Sequence, residues 1–128
     1  MRLYTYHYDD AVVPSQPVID IVVRPINGTK SAELTAIVDS GSDATLIPKK
    51  VIRRLKLRRY SNAYMRGVSG LRYQVSLYRL QLRVAGWESN LIVASDEQNE
   101  QAILGRDVLN HLRIVLNGPA TTTEILSE

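Results

Sequence analysis

The sequence predicts an all-β fold, a barrel or a sandwich, on three observations. Apolar residues alternate with polar ones over short runs, as in Tyr73, Val75 and Leu77 and again in Leu80, Leu82 and Val84; a repeat of two is the signature of a half-buried strand. Turn signals recur at close intervals, with Asn27-Gly28, Ala85-Gly86 and Asn117-Gly118-Pro119 the clearest. Helical periodicity is confined to two short pieces. Many short strands, frequent turns and little helix are the pattern of a closed or double-sheet β fold.

Composition bounds the class further. A chain of 128 residues fits one domain over 1–128 with a modest core. With 45% apolar and 23% charged residues it is ordinary globular material. There are no cysteines, which excludes disulfides and thiolate metal sites. The two histidines, His7 and His111, lie far apart and lack metal-ligand spacing. Neither a metal nor a cofactor is therefore expected. Met1 is followed by polar and aromatic residues rather than an apolar leader core. No stretch approaches the ~20 apolar residues of a membrane span, so the expectation is a cytoplasmic protein.

In chain order, residues 1–17 carry three tyrosines, Asp9-Asp10 and the prolines Pro14 and Pro17. Residues 3–8 read as an edge strand or an N-terminal arm, because prolines follow so closely. Residues 18–23 form a better strand, and Asn27-Gly28 turns it back toward 33–38, both turn residues tolerating positive φ. Residues 49–59 hold seven cations. They read as a short helix opening at Pro48, with Val51, Ile52 and Leu55 inward and the cations in water. Nucleic-acid binding there is not expected, since no aromatic residue interleaves to stack on bases.

Residues 64–84 read as a long hairpin whose tip is Gly67, Val68, Ser69 and Gly70. The apolar phase slips between Leu77 and Leu80, which predicts a bulge near Tyr78-Arg79. Residues 91–94 form another strand, with Trp87 packed at a strand edge. A polar loop over 95–101 leads to Ala102, Ile103, Leu104 and Gly105. Residues 106–112 then read as a two-turn helix with Val108, Leu109 and Leu112 inward and Asp107 near its positive end. Strands over 113–116 and 121–125 close the chain, the second lying in a C-terminal stretch of 118–128.

The chemistry points to residues 36–45, where the apolar run Ala36-Ile37-Val38 ends in Asp39-Ser40-Gly41-Ser42-Asp43. A carboxylate at the end of a buried strand is costly unless hydrogen bonds or a second group share its charge. This run, the glycine-bearing hairpin and Ala102-Ile103-Leu104-Gly105-Arg106-Asp107 stand in an order that resembles the retropepsin-like aspartic proteases. The resemblance spans residues 37–112. It implies a closed acid-protease barrel with one short C-terminal helix, and a flap at residues 67–70 closing over an extended peptide whose cleft is lined by Ala102 and Ile103.

The resemblance also implies an activity. Members of this family hydrolyse a peptide bond with a water held between two aspartates, without a metal and without a covalent intermediate. Two carboxylates in contact share one proton and titrate as a unit; the aspartic-protease pair is a standard instance. This chain holds one Asp-Ser-Gly, since Asp9, Asp10, Asp96 and Asp107 lack the following Ser/Thr-Gly. The second Asp39 is therefore expected from another copy across a two-fold axis, making the chain a homodimeric aspartic endopeptidase. In viral relatives terminal strands form much of the dimer interface, which would give residues 1–17 and 121–125 a role. Ser40 matches the position tying the two catalytic loops together, and Gly41 allows close approach to substrate. Asp43 is expected to pair with Arg106. Ser42 is expected to donate to Asp39, favouring an activity optimum on the acid side of neutral. The alternative from another class is a non-catalytic dimerisation or peptide-binding module that keeps the fold without the reaction.

Overall fold

The alternating runs become strands and the glycine-bearing breaks become turns. The computed structural model describes residues 1–127. In chain order it contains β1 (Arg2–His7), β2 (Val18–Arg24), β3 (Ala32–Val38), α1 (Lys49–Arg54), β4 (Arg59–Arg66) and β5 (Arg72–Val84). There follow β6 (Trp87–Ser95), β7 (Ala102–Leu104), α2 (Arg106–Leu109), β8 (Arg113–Asn117) and β9 (Thr122–Ser127). The fold is mostly β, as expected. Among the described residues no helix is long and apolar enough to cross a membrane.

The larger sheet runs β4-β5-β2-β3-β7, with β6 also paired to β5. β2 and β3 are antiparallel, from Val18 opposite Ile37 to Val23 opposite Ala32. Of the turn between them only Asn27 takes positive φ (63°), Gly28 donating its N–H to the Pro25 carbonyl at 2.9 Å. β3 and β7 are parallel, Val38 lying beside Leu104. The sheet does not close as one continuous ladder. Its ends are joined by isolated bridges at Leu46, which pairs with Ile103 on one side and Ala94 on the other.

The main core is built from alternate residues of β2 (Ile19, Ile21, Val23) and β5 (Leu80, Leu82, Val84), closed by Ile47, Leu104 and Val108. Each such side chain removed from water contributes roughly 1.5–3 kcal/mol before the entropy of ordering is subtracted. α1 lays Val51 and Ile52 on this core; Lys50, Arg53 and Arg54 point outward as its pattern predicts, while Lys49 folds onto the core residue Tyr78 and donates to its hydroxyl at 2.9 Å.

One expectation is corrected. The phase slip in β5 is not a bulge at Tyr78-Arg79: β5 pairs with β6 without interruption from Ser76 to Val84. The strand instead changes which of its faces is covered. Val75 and Leu77 face one apolar cluster, while Tyr78, Leu80, Leu82 and Val84 face the main core. The register shift lies on the neighbouring strand, between Arg59 and Ser61 of β4. At the N-terminus residues 2–7 form the edge strand rather than the arm; β1 pairs along its whole length with β9, and β9 pairs with β8, giving a three-stranded sheet β1-β9-β8. Ile125 of β9 is buried, and Tyr4, Tyr6 and Ile114 pack against the main core.

Candidate active site

Asp39 stands one residue past the end of β3, partly exposed. Its backbone N–H continues the parallel ladder by donating to the Leu104 carbonyl at 3.1 Å. Past that point the chain turns on its own side chain. The Gly41 N–H donates to Asp39 Oδ1 at 2.9 Å, and the Ser42 N–H donates to the Asp39 carbonyl at 3.1 Å. This is the local carboxylate-to-backbone turn that Asp favours. It leaves Asp39 Oδ2 without a partner among the described residues. Gly41 fits the turn because an added Cβ would come within 3.1 Å of Asp39 Oδ1.

The loop is braced from behind by the segment opening α2. The Arg106 N–H donates to the Ser42 carbonyl and its guanidinium Nη1 to the Ser40 carbonyl, each at 2.8 Å. Asp107 accepts from the Thr45 N–H at 3.0 Å and from Thr45 Oγ1 at 2.7 Å, and Thr45 Oγ1 in turn accepts the Gly105 N–H at 3.1 Å. Thr45 is 0% exposed. Gly105 must be glycine here, since a Cβ would lie 2.4 Å from the Ala44 carbonyl oxygen.

This brace differs from the expected one. Asp43 is exposed and forms no ion pair with Arg106; among the described residues the salt bridges are Arg24–Glu88 and Arg53–Glu97. The Arg106 guanidinium is committed to a carbonyl, and an exposed acid loses little by staying in water. Ser42 does not donate to Asp39 either, because its hydroxyl donates to the Ala44 carbonyl at 2.7 Å. Ser42 therefore gives Asp39 no bond that would favour an acid-side optimum. Ser40 is exposed, and its hydroxyl has no partner among the described residues.

The hairpin of β4 and β5 carries residues 67–71 at its tip, where the Gly67 N–H donates to the Leu71 carbonyl and Gly70 takes a φ of 84°. Val68, Ser69 and Leu71 are exposed. At its inner face Ala63, Met65 and Leu77 pack on Leu46, Val75 and Ala94, together with Ile103. Of the two cleft residues named from the sequence, only Ile103 faces this cluster. Ala102 is 3% exposed and belongs to the main core; neighbouring residues of a strand point to opposite faces, so the two never shared one. A separate groove of about 460 Å³, lined among others by Trp87, His111 and Leu126, lies against the terminal sheet and does not include Asp39. Trp87 and His111 stack there with centroids 5.2 Å apart.

Comparison with known proteins places this geometry. A family model described as "gag-polyprotein putative aspartyl protease" matches residues 24–111, more than half of the chain. The chain belongs to that aspartyl protease family. Three solved structures share the fold of this family member. The protease of EIAV, solved with the inhibitor HBY-793, is 22% identical with a TM-score of 0.62, over 77% of this chain and 89% of that one. A retropepsin-like aspartic protease from Rickettsia conorii is 12% identical with a TM-score of 0.65, over 97% of this chain and 91% of that one. The simian foamy virus protease is 18% identical with a TM-score of 0.53, over 73% and 91%. A search of curated proteins returns no match.

For a chain of this aspartyl protease family, sequence reasoning missed the role of Thr45 and Asp107. The signal was present: a hydroxyl residue inside the apolar run 44–47 has to find a partner once buried. Asp107, from the segment that opens α2, supplies that partner. The retropepsin-like fold brings Asp39, Ser40, Gly41, Ser42, Arg106 and Asp107 together, and leaves Asp43 in solvent.

Proposed function

We propose that this chain is the protomer of a homodimeric aspartic endopeptidase in which Asp39 of each copy holds one side of an attacking water. The observation that carries the reading is the state of the Asp39 carboxylate. Its Oδ1 is fixed by the Gly41 N–H, while Oδ2 has no partner among the described residues, at the only Asp-Ser-Gly of the chain. A carboxylate held on one oxygen and open on the other suits a group whose second contact comes from outside the chain. With two copies facing each other, mutual repulsion leaves one proton on the pair. The ionised member takes the water's proton as the oxygen attacks the scissile carbonyl, and the protonated member donates to the carbonyl oxygen. Ser40, exposed at the loop, is positioned to bond across the axis. Residues 67–70 close over the peptide, adding backbone hydrogen bonds and excluding bulk water.

Dimer contacts in this reading differ from the arrangement first expected at the termini. β9 has both edges filled by β1 and β8. Backbone pairing with a second copy is left to the outer edges of β1 and β8, and β8 carries the exposed Val115 and Leu116. The test compares the purified chain with Asp39→Asn on an unbiased peptide library, with sedimentation run at the same concentrations. The reading expects cleavage by wild type wherever dimer is present and none by the variant. Cleavage surviving in Asp39→Asn would remove Asp39 from the chemistry. A wild-type dimer that cuts nothing across the pH range would favour the non-catalytic module.

A further inference from the structure

A strand at the edge of a sheet offers a row of N–H and C=O groups that another strand can join, and proteins ordinarily blunt such edges with charge, proline, a bulge or a covering segment. Two edges of the larger sheet follow that rule. β4 carries Arg59 and Arg66 with Ser61 and Asn62 between them, and the free edge of β7 is taken by the bridge from Leu46 to Ile103. β8 departs from it. On one side it pairs with β9 without a bulge, from Arg113 opposite Leu126 to Asn117 opposite Thr122, and no other described strand pairs with it. Its centre is Ile114-Val115-Leu116, with neither charge nor proline among the three. β1, the other margin of this sheet, has β2 beside it.

Side chains at this edge are as open as its backbone. Ile114 and Leu116 share a face with their cross-strand partners Ile125 and Thr123, both fully buried. The core covers that face along β9 and reaches Ile114, but Leu116 remains 52% exposed. Val115, on the opposite face, is 44% exposed. An unguarded edge with apolar residues open on both faces is a hazard for a solitary chain and an asset where a second strand covers it. The site described above supplies the reason for a second strand, because one chain holds a single Asp-Ser-Gly.

We propose that β8 pairs with β8 of a second copy across a two-fold axis at Val115, joining the two terminal sheets into one of six strands, β1-β9-β8-β8-β9-β1. A two-fold axis between like edge strands makes them antiparallel. The register centred on Val115 uses all five residues of β8. It sets Val115 against itself, Ile114 against the partner's Leu116 and Arg113 against the partner's Asn117, whereas a register centred on Arg113 would oppose like charges. No strand is exchanged, since β1 and β9 stay paired within their own chain. β1 therefore ends at the far margin of the joined sheet and takes no part in the contact, contrary to the role the resemblance gave residues 1–17. The inference rests on the homodimer reading above for its second copy, and names the surface that brings that copy in.

The test combines sedimentation with peptide cleavage for wild type, Val115→Lys, Val115→Glu and an equal mixture of the two variants. Either variant alone sets like charges opposite each other at the axis, and is expected to raise the dimer Kd about 10- to 100-fold. The mixture sets opposite charges there and is expected to regain dimer and cleavage together. Variants that each dimerise like wild type overturn the proposal, and cleavage persisting in them leaves the protease reading intact. A mixture that stays monomeric where wild type dimerises overturns it as well. A mixture that regains dimer yet cuts nothing, beside a wild-type dimer that cuts nothing, upholds β8 as the interface and removes the protease reading instead. Amide hydrogen exchange on wild type alone decides the matter where a variant misfolds. Raising the concentration from monomer to dimer should slow exchange over residues 113–117 and leave residues 2–7 unchanged. Protection gained over 2–7 rather than 113–117, or a wild type that stays monomeric throughout, overturns the proposal.

Discussion

Thr45→Val tests whether the Asp39 loop depends on the buried bonds behind it. Valine matches threonine in shape, so the change leaves no cavity and exchanges only a hydroxyl for a methyl group. Two bonds go with that hydroxyl. The donation to Asp107 Oδ1 at 2.7 Å ends on a charged acceptor, and such bonds contribute about 1.5–3 kcal/mol. The Gly105 N–H, buried and now donating to Thr45 Oγ1 at 3.1 Å, is left without a partner at a cost of about 1–3 kcal/mol. Asp107 is only partly buried and keeps the Thr45 N–H at 3.0 Å, so water recovers part of the first loss. The expected destabilisation is about 3 kcal/mol. In urea, with a slope of about 1.5–3 kcal/mol per molar, the midpoint falls by about 1–2 M. A double-mutant cycle with Asp107→Asn should return a coupling of about 1–2 kcal/mol between the two positions. A loss under about 0.5 kcal/mol for Thr45→Val, with no coupling to Asp107, would refute the idea that this pair anchors the loop.

Two further changes follow from the same geometry. Gly105→Ala drives a methyl into the Ala44 carbonyl, 2.4 Å away, and the neighbour is backbone that cannot rotate aside. An overpacking cost of about 1–3 kcal/mol is expected, seen in thermal unfolding as a loss of roughly 4–12 °C; an unchanged midpoint contradicts the packing. Tyr6 has its pKa raised, first by burial and then by Asp20 and Tyr4. The folded chain therefore holds the phenolic proton more tightly than the unfolded one. Its contribution to stability is complete below about pH 10 and is lost as pH rises from there through the folded value. Urea midpoints measured from neutral to strongly alkaline pH should fall more steeply for wild type than for Tyr6→Phe, and parallel curves would contradict the shift.

What the sequence made legible was local. The turn between β5 and β6 falls at Ala85-Gly86 as expected, with Gly86 suited to its positive φ although Ala85 adopts one as well, and the apolar stripe of Val51 and Ile52 placed α1 on the core. The Asp-Ser-Gly and Gly-Arg-Asp runs announced a shared site only as a pair, through their order and separation, since an Asp-Ser-Gly by itself is a common turn sequence. Long-range pairing was not legible. β1 and β9 lie at opposite ends of the chain, and no local pattern says that Tyr4 sits opposite Ile125. β5 misled because alternation reports that a face is covered but not by what, so a change of partner looked like a bulge. The Asp43–Arg106 pair failed for a related reason: complementary charge identifies acids that can meet an arginine, while hydrogen-bond geometry decides which oxygen it reaches.

Mixing wild type with Asp39→Asn, unfolding the two together and refolding them so that subunits exchange at random, tests the shared active site directly. If one Asp39 from each copy is needed, only pairs of wild-type subunits cut, and activity follows the square of the wild-type fraction; an equal mixture keeps about a quarter of the activity of the same total protein. A linear dependence, with about half retained, would mean that each chain works alone and would contradict the account.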